Sequence, residues 1–502
     1  MLSYACVNKS FHQRGVNIMT YKMPNFSIEI KENKNFSPMG GALIIPAVFE
    51  KFELRKVINE NIGARPEGDR VKYTDSSYIE SIVAMQILGG EAVDDMSLIR
   101  ADGLLPDILD DIPGKTSIHN YISSFVTREE EEMRGQGKAF VPEPNVHLKG
   151  FDEVTRHLLK HTPHIKNITT VTLDQDATFI PTEVRGALFN YKSYQSFEAF
   201  NTYCPEYDMI IKGEYRDGNV PPAYRQLENL QASLELLPDS VKQVRLRSDT
   251  AGYQIELLKY CAEGRNERFG VIEFAISSPV TQELKQVVRA TPESEWKCIA
   301  GTQQECAEIV FVPNLLSKSK KNPEYRFIAI REEIGDTAPP ELRQLLLLDD
   351  EGYGEHPISK VHPTVMNEKI YKVFALVTNL DWATDEIVKW QRKRCGKSEE
   401  INRVLKDELA GGHVVTSALG ANAAWWQITV LAFNISTLIK KTCLPEEYQT
   451  SRPKKLRYWL FSLVARIGSH ARKMKITLYR SAQTSLFMTA WEKLETLPVQ
   501  IE

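Results

Sequence analysis

The stretch Thr172-Leu173-Asp174-Gln175-Asp176-Ala177-Thr178 places two carboxylates two positions apart, at the end of a β-branched segment that begins at Thr169. Side chains alternate across a β-strand, so Asp174 and Asp176 share one face if the strand extends that far. Two neighbouring carboxylates repel each other unless a cation lies between them. The stretch therefore predicts a strand that carries acidic residues into a possible metal site.

Strand and helix signals alternate after this stretch, which is typical of an α/β sheet. The alternating segments are a strand at 209–215, a helix at 223–237, a strand at 244–247, a helix at 253–261 and a strand at 268–276. Between residues 278 and 365 this alternation gives way to further strand candidates separated by polar loops. We interpret that part as a β-rich insertion.

Helical segments are predicted on both sides of the α/β region. Gly89-Gly90 ends one apolar helix and Thr116 or Ser117 can cap another. Such a helical N-terminal domain suits DNA binding, and a scaffold that packs on the core is the alternative. The predicted organisation is a poorly ordered leader at 1–37, the helical domain at 38–150, the first part of the α/β core at 151–277, the insertion at 278–365, the second part of the core at 366–441 and a basic helical C-terminal region at 442–502.

The composition is that of an ordinary soluble globular protein, with 42% hydrophobic and 25% charged residues. The formal net charge of −4 conceals a basic block from Arg452 to Arg480, which has nine Lys and Arg residues and no acid. Aromatic residues lie within the block, and this mixture suits contacts to DNA phosphates and stacking on bases. A solvated amphipathic helix is the alternative. The residues of this block assigned to DNA binding are Arg452, Lys454, Lys455 and Arg457.

Nothing in the sequence predicts secretion. The N-terminal residues lack the continuous apolar stretch of a signal peptide, and Met19 or Met23 is an alternative start to Met1. The seven scattered cysteines include no C-x-x-C pair, so neither a zinc site nor a disulfide framework is predicted. We therefore expect a cytoplasmic protein.

The most apolar segment, Ala421–Ile439, is predicted to be a buried helix rather than a membrane span, because it contains Asn422 and Asn434. Trp425 and Trp426 lie on this helix. Stacking on a flipped base is one function for such a pair, but packing in the core is the interpretation that the apolar neighbours favour. No membrane partner is expected.

Two further acidic positions lie where a site can form. Asp249 follows a predicted strand and precedes a helix, at the carboxyl edge where α/β proteins build their sites. Glu399, with Glu400 as the alternative, begins a helix on which Arg403 and Lys406 share its face. A metal-binding acid would thus stand beside cations able to hold a DNA phosphate. Oxygen ligands without His or Cys favour Mg²⁺ or Mn²⁺ over zinc.

Several segments together resemble the DDE transposases of bacterial insertion sequences, specifically the DDE domain group 1 type. The matching segments are Ser37–Gly41, Leu173–Thr178, Gly218–Ala223, Leu246–Tyr253, Lys393–Glu399 and Leu419–Trp426. They follow one another in the family's order from about Ser37 to Lys441, so the resemblance covers most of the chain.

The resemblance implies an RNase H-like catalytic core, with β-rich material inserted between the second acid and the last. It implies that Asp176, Asp249 and Glu399 are the catalytic acids and the ligands of a divalent metal. Asp174 is the alternative first acid, but the Asp-x-Thr arrangement common in related enzymes fits Asp176-Ala177-Thr178.

Cations near the last acid also follow the family pattern in part. Many relatives show Tyr, Arg, Glu and Lys, with six residues between Glu and Lys, and Glu399 and Lys406 keep that interval. Arg394 lies one position further from Glu399 than the pattern expects, and Trp390 stands in for the Tyr. The residues assigned to DNA binding here are Arg394, Lys397, Arg403 and Lys406.

The activity that the resemblance implies is cleavage of DNA by water at the ends of a mobile element, followed by attack of the freed 3′-hydroxyl on target DNA. The implied partners are double-stranded DNA, as terminal inverted repeats and as target, and a second copy of the chain bound to that DNA. The implied location of the protein is the bacterial nucleoid. Two alternatives stay open: a structure-selective nuclease of RNase H-like fold, and a catalytically inactive DNA-binding protein derived from a transposase.

Overall fold

The computed structural model of the protein describes residues 20–23, 26–29, 35–65, 72–109, 111–311, 325–334, 363–367, 369–470 and 473–498. The strands are β1 Thr20–Met23, β2 Phe26–Glu29, β3 Phe36–Ser37, β4 Thr170–Pro181, β5 Leu188–Phe189, β6 Gln195–Cys204, β7 Met209–Asp217, β8 Gln243–Ser248, β9 Glu273–Ser278, β10 Lys297–Cys298, β11 Gln304–Ile309, β12 Arg326–Glu333, β13 Pro363–Met366, β14 Lys369–Thr378, β15 Ala465–His470 and β16 Lys473–Leu478. The helices are α1 Ile44–Lys51, α2 Leu54–Asn61, α3 Asp75–Leu88, α4 Met96–Ala101, α5 Leu105–Ile108, α6 Lys115–Ser123, α7 Arg128–Arg134, α8 Val146–His161, α9 Gln226–Leu236, α10 Ile255–Ala262, α11 Gln282–Ala290, α12 Thr384–Arg392, α13 Lys397–Arg403, α14 Leu419–Leu438, α15 Pro453–Leu456 and α16 Ala482–Thr496.

Strand β4, which carries both Asp174 and Asp176, lies inside a large mixed sheet. The order across the sheet is β10-β11-β12-β14-β9-β8-β4-β6-β5, with β13 beside β14 and β7 beside β6. β8 runs parallel to β4 and to β9, whereas β4, β6 and β7 pair antiparallel. The predicted α/β class is confirmed at this level, as a mixed sheet accompanied by many helices.

The described strands of the predicted β-rich insertion continue this sheet. β14, which lies in the second part of the predicted core, pairs antiparallel with β9, and the insertion strands β12 and β11 follow outward from it. Without β14, the buried parallel strand β9 would present an unpaired edge, which proteins cover in this way. The inserted strands therefore extend the sheet that holds the acidic residues and do not form a sheet of their own.

The N-terminal helices pack on the sheet as part of one hydrophobic core. α3 packs against α14 and is buried along its whole length. Burial on all sides is expected for a helix that is apolar on more than one face. On α7, the guanidinium of Arg134 forms two hydrogen bonds to the Asp217 carboxylate at the end of β7, at 2.8 and 3.0 Å. Both side chains are buried, so this ion pair fixes the helices on the sheet.

Helix α14 is the buried apolar helix expected from the sequence. Trp425 and Trp426 lie in the core as predicted, and their indole nitrogens donate to Ala410 O at 2.8 Å and Asn201 Oδ1 at 3.1 Å. Over the ranges that the structure describes, no helix is both long and apolar enough to cross a membrane.

The C-terminal region differs from its prediction. Strands β15 and β16 form a hairpin within the basic block, and β15 also pairs with β3. The expectation of an all-helical region is wrong here because Ala465 and Ile467 are buried while Arg466 between them is exposed, the period-two pattern of a strand. Within the predicted leader, β1 and β2 pair as a hairpin, and the rest of that prediction lies largely outside the described residues.

Candidate active site

Three elements bring the predicted acids to one edge of the sheet. Asp176 lies on β4, Asp249 follows the last residue of β8, and Glu399 lies in the first turn of α13. β4 and β8 are parallel neighbours whose pairing ends at Asp174 opposite Arg247, so Asp176 and Asp249 each lie two residues beyond this last pair. Asp249 also caps the turn that follows it, because its Oδ1 accepts from the Ala251 amide at 2.9 Å.

Asp174 is held in a buried ion pair. The Arg247 guanidinium donates to its two carboxylate oxygens at 2.6 and 2.7 Å, and the side chains are only 1% and 3% exposed. Arg247 also donates to Trp390 O at 2.6 Å, and its guanidinium carbon lies 5.1 Å from the centroid of the Trp390 ring. Because both oxygens of Asp174 are engaged and buried, the geometry favours Asp176 as the first acid of the site.

Asp176 is partly accessible, with a side chain that is 20% exposed. Arg394 Nη2 donates to its Oδ1 at 2.5 Å, and Asn402 Nδ2 donates to its Oδ2 at 2.8 Å. Burial is the main cause that raises the pKa of Asp176 to about 6. Arg394 opposes this rise, and the carboxylates of Asp249 and Glu399 contribute to it. Asp249 and Glu399 therefore each lie within electrostatic reach of Asp176.

The other two acids face solvent. The Asp249 side chain is 50% exposed, and its carboxylate lies 4.0 Å from Arg394 Nη2. Glu399 is exposed as well. The neighbouring Glu400 carboxylate lies 3.6 Å from the Lys397 ammonium. Since Glu399 acts on the pKa of Asp176, it is better placed than Glu400 to complete the site.

Carboxylate oxygens are the ligands that hard divalent cations prefer, so the chemistry of Asp176, Asp249 and Glu399 fits such an ion. The side chains do not form a closed cage as they stand: within the described residues, no group of three or more His, Cys, Asp and Glu side chains could hold a metal ion. The Arg394 guanidinium lies close to both Asp176 and Asp249. Binding a cation would therefore require Asp249 and Glu399, the two exposed acids, to move toward Asp176.

Asn402 is a site residue that the sequence reasoning missed. Besides its bond to Asp176, its Oδ1 accepts from Asn201 Nδ2 at 3.2 Å, and Asn201 in turn accepts from the Trp426 indole. This buried chain of hydrogen bonds connects α14 to Asp176 and orients the carboxylate. The spacing in the sequence could have identified this residue, because Asn402 follows Glu399 by three residues and so lies on the same helix face.

We expect Asn402→Ala to lower DNA cleavage by roughly 10- to 100-fold, the range found when groups that orient catalytic ligands are removed. Asn402→Asp should lower it further, because a fourth carboxylate would repel Asp176. Cleavage rates measured over a range of Mg²⁺ concentrations would separate the two effects. An Asn402→Ala protein that cleaves at the unmutated rate would contradict the orienting role.

The cations predicted to bind DNA near the site have different environments. Arg394 is buried against Asp176, and its Nη2 also donates to Gln175 O at 3.1 Å. Lys406 is half-buried, with its ammonium 2.8 Å from Thr178 Oγ1, and burial lowers its pKa. Arg403 is exposed.

Part of the basic block is anchored on the turn that continues α13. Arg452 contacts the Glu408 carboxylate, whose second oxygen accepts from the Lys454 amide at 3.0 Å. Arg457 donates to the backbone oxygens of residues 86, 87 and 408. The side chains of Lys454 and Lys455 remain exposed. Arg452 and Arg457 thus have structural contacts, and the two lysines are the freer cations of the four.

Fold and site together define an α/β protein in which two strand ends and one helix bring three carboxylates to the edge of a mixed sheet. The sequence profile described as Transposase DDE domain group 1 matches residues 26–321 and 358–499. The chain belongs to this family of transposases, as its sequence motifs predicted. The family implies an enzyme that cleaves nucleic acid, and its members generally use divalent metal ions.

No curated protein matches the sequence. Among solved structures, the chain is similar to a piggyBac transposase in a cryo-EM structure of its synaptic complex with hairpin DNA. The two are 10% identical, the match covers 91% of this chain and 82% of the other, and the TM-score is 0.41. At this TM-score the likeness establishes neither a shared fold nor a shared activity.

Proposed function

We propose that the protein cleaves DNA at the ends of a mobile element and joins the freed 3′-hydroxyl to target DNA, with Asp176, Asp249 and Glu399 as its catalytic acids. The observation that carries this proposal is that Asp249 and Glu399 each lie within electrostatic reach of Asp176, in a chain of a transposase family.

The proposal includes an RNase H-like core. Its support is the strand order β7-β6-β4-β8-β9, in which three antiparallel strands are followed by two that run parallel to β4. In this arrangement the first acid lies on the central strand β4 and the second follows its parallel neighbour β8. Active sites of open α/β sheets form outside the carboxyl ends of such strands.

Asp176, Asp249 and Glu399 would hold Mg²⁺ or Mn²⁺. When bound, such ions lower the pKa of an attacking water or hydroxyl and neutralise charge on the leaving oxygen. The chain's own residues prepare the site. Asn402 orients Asp176, and Arg394 neutralises it in the absence of metal.

DNA contacts are proposed for the cations around this edge. Lys406 and Arg403 lie on the segment that carries Glu399, Lys397 is in its first turn, and Lys454 and Lys455 are exposed beside the end of that segment. Electrostatic contacts of this kind bind DNA phosphates independently of sequence. DNA binding, as a dimer that joins two element ends, is part of the proposal because the chain belongs to a family of transposases.

The test is a strand-cleavage assay on labelled DNA that carries the sequence flanking this gene, with Mg²⁺ or with EDTA. We expect cleavage at the element boundary only with Mg²⁺, and its loss in Asp249→Ala and Glu399→Ala proteins that still bind DNA. Glu400→Ala is the matched control and should cleave normally, because Glu400 pairs with Lys397.

Other outcomes would identify the alternatives. DNA binding without any cleavage by the unmutated protein would support a non-catalytic DNA-binding protein. Cleavage at branched or hairpin structures, irrespective of the element sequence, would support a structure-selective nuclease. Cleavage that survives both substitutions would mean that the acids are misassigned.

A further inference from the structure

A small group of aromatic and lysine side chains lies where β4 leads into β6. We call it the aromatic patch, and it consists of Phe179, Tyr191, Lys192 and Tyr194. Tyr191 is 70% exposed, and its ring meets the Phe179 ring edge-on with the centroids 5.4 Å apart. The Lys192 ammonium lies 5.5 Å from the centroid of Phe179 and 5.7 Å from that of Tyr191. The exposed Tyr191 ring thus packs against the Phe179 ring and has the Lys192 ammonium beside it.

The backbone that presents Tyr191 is held in a tight turn. The buried Asn190 accepts from the Lys192 amide at 2.9 Å through its side chain, and its own amide donates to Tyr194 O at 3.0 Å. Its side-chain amide also donates to Ser196 Oγ at 2.9 Å, which connects the turn to β6. A ring fixed in this way loses little conformational freedom when a ligand binds.

The aromatic patch lies next to the acidic site along an open strand edge. β4 pairs with β8 only as far as Asp174, so the last part of β4 projects beyond β8. On this part the carbonyl of Phe179 accepts from the Lys406 ammonium at 3.2 Å. Asp176 and Phe179 are three residues apart, which is about 10 Å along β4, and because side chains alternate they point to opposite faces of the strand.

Electrostatics connect the aromatic patch to the same site. Partial desolvation raises the pKa of the Tyr191 hydroxyl, and the carboxylates of Glu198 and Asp249 contribute to the rise. Burial lowers the pKa of Lys406, and the charge of Lys192 lowers it as well. Tyr191 therefore lies within electrostatic reach of Asp249, and Lys406 lies within electrostatic reach of Lys192.

We propose that the aromatic patch binds an unpaired nucleobase of a DNA strand that leaves the acidic site, with Tyr191 stacking on the base and with Lys192 and Lys406 binding the adjacent phosphates. The proposal rests on the proposed function for the identity of the strand as DNA. Stacking on an exposed aromatic ring beside cations is how proteins hold single strands without reading their sequence. The surface of one exposed ring and two lysines is far smaller than the roughly 1,200–2,000 Å² that a stable protein interface buries. The size of the aromatic patch therefore argues against a protein partner.

The test measures binding of the full-length protein to a fluorescein-labelled single-stranded oligothymidine and to a duplex of the same length, in EDTA so that neither is cleaved. Tyr191→Ala should raise the Kd for the single strand by roughly 5- to 100-fold, the value of one stacked base, and leave the Kd for the duplex unchanged. Tyr191→Phe retains the ring and should bind like the unmutated protein. Lys192→Gln should weaken binding and lower the salt dependence by about one phosphate contact.

A second readout follows the base itself. 2-Aminopurine placed in the single strand should lose fluorescence when it stacks, and this loss should occur with Tyr191→Phe but not with Tyr191→Ala. Unchanged thermal melting of the Tyr191→Ala protein would show that it is folded, as expected for an exposed side chain.

Three results would overturn the proposal: an unchanged single-strand Kd in Tyr191→Ala, an equal loss for single strand and duplex, or a change in oligomeric state with DNA binding intact. Metal-dependent cleavage measured on the same proteins separates this proposal from the proposed function. Normal cleavage by the unmutated protein, with normal single-strand binding by Tyr191→Ala, would remove only the stacking site. A Tyr191-dependent Kd in a protein that never cleaves would remove only the proposed function.

Discussion

Replacing Asp176 with Asn is expected to abolish DNA cleavage, with a loss of roughly 10³-fold or more, because a metal ligand supports several kcal/mol of transition-state stabilisation. The same substitution should lower the free energy of unfolding by less than Asp174→Asn does. Asn keeps the size of the side chain, and Arg394, which pairs with Asp176, keeps a second carboxylate, that of Asp249, 4.0 Å away. Cleavage on element-end DNA and urea unfolding of the metal-free protein measure the two effects.

Asp174→Asn is the matched control, since it makes the same chemical change two residues away on the same face of β4. It leaves Arg247 buried without a counter-charge, so we expect a loss of about 3–5 kcal/mol in the free energy of unfolding. Any Asp174→Asn protein that remains folded should retain cleavage. If Asp174→Asn abolishes cleavage in a stable protein, and Asp176→Asn does not, then the first acid is Asp174.

The second large effect concerns the contact between the N-terminal helices and the sheet. Arg134→Met should lower the free energy of unfolding by about 3–5 kcal/mol, because it leaves the buried Asp217 carboxylate without its partner. The change should be visible as a lower urea midpoint.

The double variant Arg134→Met/Asp217→Leu is the control for this prediction. With both charges replaced by apolar side chains, much of the lost stability should return, because a buried ion pair contributes little beyond the cost of leaving either half alone. A single substitution that leaves the urea midpoint unchanged would show that the pair does not fix the helices. A double variant as unstable as the single one would mean that the shape of the contact matters more than its charge.

The part of the chain that carries the candidate site could be predicted from local pattern to a large extent. The β-branched segment before Asp174, the position of Asp249 after a strand and the apolar length of α14 each depend on neighbours in sequence, and each is found where it was expected. The motifs also identified the family, which the profile match confirms. The hairpin in the basic block was missed, because its alternation is short and its charge suggested a solvated helix.

The sequence by itself determined that acidic residues follow two strands and begin a helix in an α/β protein, because strand and helix periods place these side chains on defined faces. Only the tertiary structure decided which partners hold each of them. Arg247 is 73 residues from Asp174 and occupies it, whereas Arg394 and Asn402 reach Asp176 from 218 and 226 residues away. Such pairings depend on which elements meet across the sheet edge, and sequence spacing carries no information about contacts over that distance. For the same physical reason, only the tertiary structure decided which cations of the basic block have partners within the fold. Arg452 and Arg457 have such partners, while Lys454 and Lys455 face solvent.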